Sequence, residues 1–100
     1  MTDEQTFVSV SYDENHNPSL ELTVSAVGVQ LRPDNWESIS EWVRQHDYVV
    51  HRLASSGLMV SNSESVVIGV VELGDYIMWK NDKLFVEPAD GLYQRWAVKD

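Results

Sequence analysis

The 100-residue chain has the composition of an ordinary globular domain, because 43% of its residues are hydrophobic and 23% are charged. Its formal net charge of -9 opposes direct contact with nucleic acid or an anionic membrane, and the lack of cysteine excludes disulfides and thiolate metal sites. The acidic N-terminus precedes no apolar stretch, and no apolar run reaches membrane length. We therefore expect one domain over residues 1–100 with neither a signal peptide nor a membrane span.

Residues 1–31 predict an acidic β-hairpin region. Segments 6–12 and 20–26 alternate apolar and polar side chains, the pattern of half-buried strands, and polar turn residues separate them. The region contains no Lys or Arg, and its carboxylates include Asp13, Glu14 and Glu21. Such a segment attracts a basic partner protein, although negative charge also serves solubility alone.

Residues 32–47 predict the main helix, over about 33–46. Pro33 suits the first helical position, where its missing N–H has no helical partner to lose. An apolar stripe with helical spacing, predicted to pack on the core, consists of Trp36, Ile39, Trp42 and Val43.

Residues 48–100 predict a β-rich region with a terminal helix. Short apolar, β-branched segments lie between turn residues, and Asn81-Asp82 has the chemistry of a hairpin turn because both residues tolerate positive φ. A short helix is expected within 88–96. The predicted fold is therefore α+β, with a curved antiparallel sheet of five to seven short strands, one main helix and a short C-terminal helix.

No pattern in the sequence indicates catalysis, a metal or a cofactor. The three histidines, His16, His46 and His51, have no metal-binding spacing, and the five glycines are too dispersed for a phosphate loop. No Gly-x-Ser-x-Gly motif is present. Carboxylates that meet only in the folded chain stay open as an acid–base pair. We expect a protein that is not an enzyme, with no catalytic residues, metal site or cofactor.

The C-terminal aromatic residues are candidates for protein binding, because Trp and Tyr are enriched among the residues that contribute most to interfaces. The candidates are Tyr76, Trp79, Phe85, Tyr93 and Trp96. The alternative is that they cover a small core. Burial of Trp79 and Trp96 distinguishes the two possibilities.

The segment Leu-Gly-Asp-Tyr-Ile-Met-Trp at 73–79 resembles the Pro-Gly-Asp-Trp-Ile/Val segment of small proteins encoded by tailed bacteriophages. In that family a β-hairpin follows, then Pro with an acidic residue, then an aromatic-bearing helix, and residues 83–96 show the same order. Residues 31–42 are similar to a Trp-containing helix opening that often precedes the segment. The resemblance covers about residues 29–97 discontinuously, with Leu73, Tyr76 and Arg32 in place of the usual Pro, Trp and Thr. It implies a phage accessory protein and no particular functional residue.

These observations lead to the hypothesis of a non-enzymatic phage accessory protein. It would bind and inhibit or redirect a bacterial host protein, such as a defence protein, in the host cytoplasm. We expect a basic surface on the partner, contacted by the acidic hairpin and the terminal aromatic hairpin, and no contact with nucleic acid or membrane.

Three alternatives remain. A nucleic-acid mimic would carry a continuous row of carboxylates, formed by Asp13, Glu14, Glu21, Glu37 and Glu41. A small enzyme or ligand-binding module would need a concave pocket. A structural module of the phage machinery would form a homo-oligomer through an exposed strand edge.

Overall fold

A computed structural model describes residues 4–53 and 57–99, with the side chains of 21–24 outside that description. The eight strands β1–β8 span Gln5–Tyr12, Pro18–Gln30, Val49–Arg52, Leu58–Ser61, Val67–Val71, Tyr76–Lys80, Lys83–Glu87 and Trp96–Val98. The helices α1 and α2 span Trp36–Gln45 and Leu92–Arg95. The predicted α+β class, with one main helix and a short C-terminal helix, is confirmed.

The strands are divided between two antiparallel sheets, where the sequence had predicted one. The five-stranded sheet has the order β7-β6-β2-β1-β8, and the three-stranded sheet has the order β3-β4-β5. The predicted hairpins form: β1 pairs with β2, and β6 pairs with β7 around Asn81 and Asp82, which adopt φ values of 50° and 62°.

The five-stranded sheet is the central layer and separates two core clusters. On one face it packs against α1 and the three-stranded sheet, through buried residues that include Val29, Ile39, Trp42, Val60 and Ile77. On the other face it packs against α2, through Phe7, Ala26, Tyr76, Met78, Leu92 and Trp96. Strand β6 serves both clusters, because neighbouring side chains of a strand point to opposite faces.

Helix α1 begins at Trp36, later than the predicted start at Pro33. The Asn35 side chain accounts for the difference, because it organises the preceding turn. Its Oδ1 accepts the Arg32 N–H at 2.7 Å, and its Nδ2 donates to the Gln30 carbonyl at 2.8 Å. These bonds hold the chain in a turn over residues 33–34 before the first helical residue.

The β1–β2 hairpin is irregular at one point. Val8 pairs with Ser25 but Ser9 pairs with Glu21, so residues 22–24 of β2 have no partner in the ladder. This bulge divides the hairpin into an inner part that joins the sheet and an outer part beyond it. It also separates Ala26, which is buried, from Leu20, which is 54% exposed, although the sequence pattern had placed both on one face.

Candidate protein-binding surface

The outer part of the hairpin, residues 9–21, forms a two-stranded arm. The neighbouring strand β8 pairs with β1 only at residues 7–9, and β6 pairs with β2 only at residues 27–30. Every residue from 12 to 20 is exposed. The molecule is correspondingly elongated, with extents of 44 × 26 × 25 Å. Among the described residues, the arm therefore has little packing against the rest of the protein.

One face of the arm is apolar. Val10 pairs with Leu20 and Tyr12 pairs with Pro18, and because directly opposite and alternate residues share a face, all four lie on the same side. Tyr12 is 44% exposed and Leu20 is 54% exposed. Apolar side chains that stay in contact with water add little to the stability of a two-stranded ribbon. This face is therefore suited to contact another molecule.

The turn at the tip of the arm is organised by Asp13. Its Oδ1 accepts the backbone N–H groups of Asn15 at 2.9 Å and Asn17 at 2.8 Å, and its Oδ2 accepts the Asn17 side-chain amide at 3.3 Å. The hydrogen bond from the Asn17 backbone is the main cause that lowers the pKa of the Asp13 carboxyl below its usual value. His16 adopts a φ of 65° and stacks on Tyr12 with ring centroids 5.3 Å apart. The tip is thus a defined shape that carries negative charge.

The predicted acidic site residues lie on this arm. Asp13 and Glu14 are exposed at its tip. Glu21 is the last residue of β2 that belongs to the arm, and its side chain lies outside the described part of the structure. The first basic residue of the sequence is Arg32, which lies beyond the opposite end of β2. The arm therefore combines an apolar face with carboxylates and has no Lys or Arg of its own.

The predicted aromatic site residues do not form an exposed surface with the arm. Tyr76 and Trp96 are 6% and 7% exposed and belong to the core. Trp79 and Phe85 are half-buried against the two core clusters. Only Tyr93 is well exposed, at 63%. Burial removes Tyr76 and Trp96 from the candidate contact surface, because a buried ring has no area to offer a partner.

Tyr93 marks a separate polar cleft at the end of β2 that is farthest from the arm. The Tyr93 hydroxyl lies 3.4 Å from the Tyr76 hydroxyl, and Tyr76 pairs with Gln30 at the end of β2. The cleft has a volume of about 490 Å³ and is lined by Glu4, Gln5, Gln30, Arg32, Tyr76 and Tyr93. Burial, with the hydrogen bond to Tyr93, raises the pKa of Tyr76 to about 12. The Tyr76 hydroxyl is therefore protonated at neutral pH and is not an activated nucleophile.

Sequence reasoning missed Tyr12 and Leu20 as contact residues. Their alternation with polar residues is the same in a strand that is half-buried in its own protein and in one that buries its face against a partner. The available signal was the dense turn cluster between them, which indicated a long hairpin but not how far it extends beyond the sheet.

Within residues 4–53 and 57–99, no group of three or more His, Asp or Glu side chains is placed to hold a metal ion. In the same part of the chain, no helix is long and apolar enough to cross a membrane. Comparisons with protein-family models, with curated protein sequences and with solved structures found no match.

Proposed function

We propose that this chain is a non-enzymatic protein-binding module that holds a bacterial host protein through its arm. The observation that carries the proposal is that residues 9–21 extend beyond the sheet with Tyr12 and Leu20 exposed on one face. Because these side chains are exposed, they add little to the stability of the free protein. We expect them to contribute to the free energy of binding in a complex. Tyrosine in particular combines a large apolar ring with a hydroxyl and is enriched at interface centres.

The charge of the arm indicates the kind of partner. Asp13 and Glu14 stand at the exposed tip, and the whole segment 1–31 lacks Lys and Arg. A groove with an apolar floor and a basic rim complements such an arm. The complementary charges raise the rate of association and suppress wrong partners, while the apolar face supplies most of the affinity.

The resemblance of residues 73–79 to a phage-protein segment supports the biological setting. In that setting the module is a phage accessory protein that acts in the bacterial host cytoplasm and inhibits or redirects the protein it binds. Occupation of a basic groove is a sufficient mechanism, because the bound arm excludes whatever acidic ligand the groove normally holds.

The distribution of carboxylates favours this proposal over a nucleic-acid mimic. A mimic needs Asp13 and Glu14 in one row with Glu37 and Glu41. The first two lie at the arm tip, whereas Glu37 lies in the first turn of α1, which follows the end of β2 farthest from that tip. The acidic residues thus fall into two groups on different elements.

The test is quantitative affinity capture from bacterial lysates, read by mass spectrometry. The wild-type chain is compared with a double variant of the arm, Glu14→Lys with Glu21→Lys, which leaves the turn-forming Asp13 in place. The matched control is Glu64→Lys with Glu72→Lys, two exposed carboxylates outside the arm with the same change in charge. We expect a stoichiometric partner with the wild type and the control, and at least a tenfold loss with the arm variant, about 1.4 kcal/mol.

An equal loss of partner with both double variants would show that only net charge matters and would contradict the proposal. Recovery of no stoichiometric partner from several bacterial hosts would contradict it as well. A second arm variant, Tyr12→Ser with Leu20→Ser, tests the apolar face without a change in charge, and it is expected to reduce capture at least as strongly as the charge reversal.

A further inference from the structure

A second cleft, distinct from the arm and from the tyrosine cleft, lies where the end of α1 meets the β6–β7 hairpin. Its volume is about 440 Å³, within the range of ligand-binding clefts. It is lined by Gln45, His46, Asp47, Tyr48, Asn62, Ser63, Trp79 and Asp82. The lining thus combines aromatic rings with two carboxylates and contains no Lys or Arg among the described residues.

Three rings form the aromatic part of the lining. The centroids of His46 and Trp79 are 4.3 Å apart, and those of Tyr48 and Trp79 are 6.3 Å apart with nearly perpendicular planes. The Tyr48 hydroxyl accepts the Leu84 backbone N–H at 3.3 Å, which fixes its ring. Trp79 is half-buried and packed against the core, so its ring is held in place. The aromatic surface is therefore preorganised.

His46 adds a hydrogen-bond acceptor. Its Nδ1 lies 2.8 Å from the Trp42 carbonyl oxygen. A carbonyl oxygen can only accept, so Nδ1 carries a proton and donates it. In the neutral ring Nε2 then has a free lone pair, which suits an N–H donor of a ligand.

Trp36, the other partly exposed tryptophan of the same core cluster, contacts a cation of the chain. The Arg52 guanidinium lies over the Trp36 ring, 4.4 Å from its centroid. A second cation of the chain, the Lys80 ammonium, lies 5.7 Å from the centroid of Trp96. Both are cation–π contacts. The cleft at Trp79 has the aromatic ring and, in addition, the carboxylates of Asp47 and Asp82, but none of the described residues that line it is a Lys or Arg.

We propose that this cleft binds one arginine side chain of the partner protein. A guanidinium is attracted to aromatic surface and offers several N–H donors in a fixed plane. These properties match the part of the Trp79 ring that His46 and the core leave uncovered, together with Asp47, Asp82 and the His46 acceptor. The inference rests on the proposed function, since the basic partner supplies the arginine.

The position of the cleft fits that role. Trp79 pairs with Val27 of β2, and the β6–β7 turn with Asp82 runs from there in the direction of the arm. A protein that lies along the arm therefore reaches the cleft at its base. The cleft and the arm therefore lie toward the same end of the five-stranded sheet.

The direct test uses a small probe, N-acetyl-arginine methylamide, titrated into the full chain at low salt. Its neutral isostere, N-acetyl-citrulline methylamide, is the matched control ligand. The readout is the NMR signal of the Trp79 indole N–H, assigned with Trp79→Phe. We expect a saturable shift with a dissociation constant on the order of 10 mM for the arginine probe and at least a fivefold weaker response to citrulline. No saturable shift, or equal shifts with both probes, would overturn the proposal.

A protein variant gives an independent check. Asp47 and Asp82 have φ values of 63° and 62°, a conformation that Asn also tolerates, so Asp47→Asn with Asp82→Asn keeps both turns. This variant is expected to weaken probe binding about tenfold. The control, Asp34→Asn with Asp90→Asn, removes the same charge from exposed positions outside the cleft and is expected to bind as the wild type does. Equal binding by the two double variants would overturn the proposal.

Failure of this inference is distinguishable from failure of the proposed function. If the arm is not the contact surface, Glu14→Lys with Glu21→Lys leaves partner capture unchanged while the arginine probe still shifts Trp79. If the cleft does not bind arginine, the probe gives no shift while the arm variant still loses the partner.

Discussion

Excision of the arm is the perturbation that most clearly separates the folding role of the hairpin from its proposed binding role. Ser9 and Glu21 are paired across the hairpin. Replacement of residues 10–20 by Asn-Gly joins them through the two-residue turn that antiparallel strands favour. The excised segment contains no buried residue, and both core clusters are built from residues outside it.

The structure predicts a small effect of this excision on stability. Replacing an exposed side chain usually changes the free energy of unfolding by no more than about 0.5 kcal/mol in either direction. A shorter connection also lowers the entropic cost of folding by about 1 kcal/mol. These terms oppose the few cross-strand contacts that are lost, each worth roughly 0.2–1 kcal/mol. The free energy of unfolding should therefore change by less than about 1 kcal/mol. By contrast, Phe7→Ala at a fully buried position should cost about 3–5 kcal/mol.

Urea unfolding followed by tryptophan fluorescence measures both changes, because all four tryptophans lie outside the arm. The midpoint should stay nearly constant for the excised chain and fall sharply for Phe7→Ala. A loss of more than about 2 kcal/mol on excision would mean that the arm packs on the body of the protein. Its apolar face would then belong to the packing of the protein itself and would not be free to contact a partner.

Three further predictions concern the fold. Gly28→Ala should lower the free energy of unfolding by about 1–3 kcal/mol in the same assay, because the new methyl group would collide with the buried Met78 sulfur and lie 3.1 Å from the Phe7 ring. The pKa of Tyr76 is raised from 10.0 to about 12, so the contribution of its neutral hydroxyl to the free energy of unfolding is complete below pH 10 and is lost as the pH rises toward 12. Tyr76→Phe should remove this pH dependence, which urea midpoints measured between pH 10 and 12 would show. Asp13 has a pKa lowered from 3.8, so the order of the arm turn should persist above pH 3.8 and be lost as the pH falls below it, a transition seen by NMR of the Asn15 and Asn17 amides and shifted little by Glu14→Gln.

The sequence was sufficient to predict most of the secondary structure. Alternation identified β1 and the start of β2, helical spacing identified α1 through Trp36, Ile39 and Trp42, and turn chemistry identified the β6–β7 hairpin. These features are local, because they depend on periods of two or 3.6 residues and on backbone preferences. The helix start was less well predicted, since the Asn35 side chain favours a turn over the helical position that Pro33 would accept.

The division into two sheets and the shape of the site were not predictable in the same way. Strand pairing in the five-stranded sheet joins β1 to β8 and β2 to β6, which are far apart in sequence. The same alternation that describes Phe7 and Val8 in the core describes Tyr12 on the exposed arm. Which aromatic residues are buried depends on this pairing, so Tyr76 and Trp96 could be proposed as contacts from sequence and yet belong to the core.

The cleft at Trp79 shows the same limit. His46, Asp47 and Asp82 come from the end of α1 and from the β6–β7 turn, and only tertiary packing brings them to one indole ring. In the sequence, Trp79 was one of several candidate contacts, and His46 had no partner at a metal-binding spacing. The two carboxylates become part of a candidate binding site because they line the same cleft as the Trp79 ring.

The most direct test of the central claim is an affinity measurement with the captured partner. Isothermal titration compares the wild-type chain with the chain in which residues 10–20 are replaced by Asn-Gly, after urea unfolding has established that both are folded. If the arm is the contact surface, its excision should weaken binding at least 30-fold, about 2 kcal/mol, and should reduce the salt dependence of the remaining affinity. Equal affinity of the two chains would show that the partner binds elsewhere and would contradict the account.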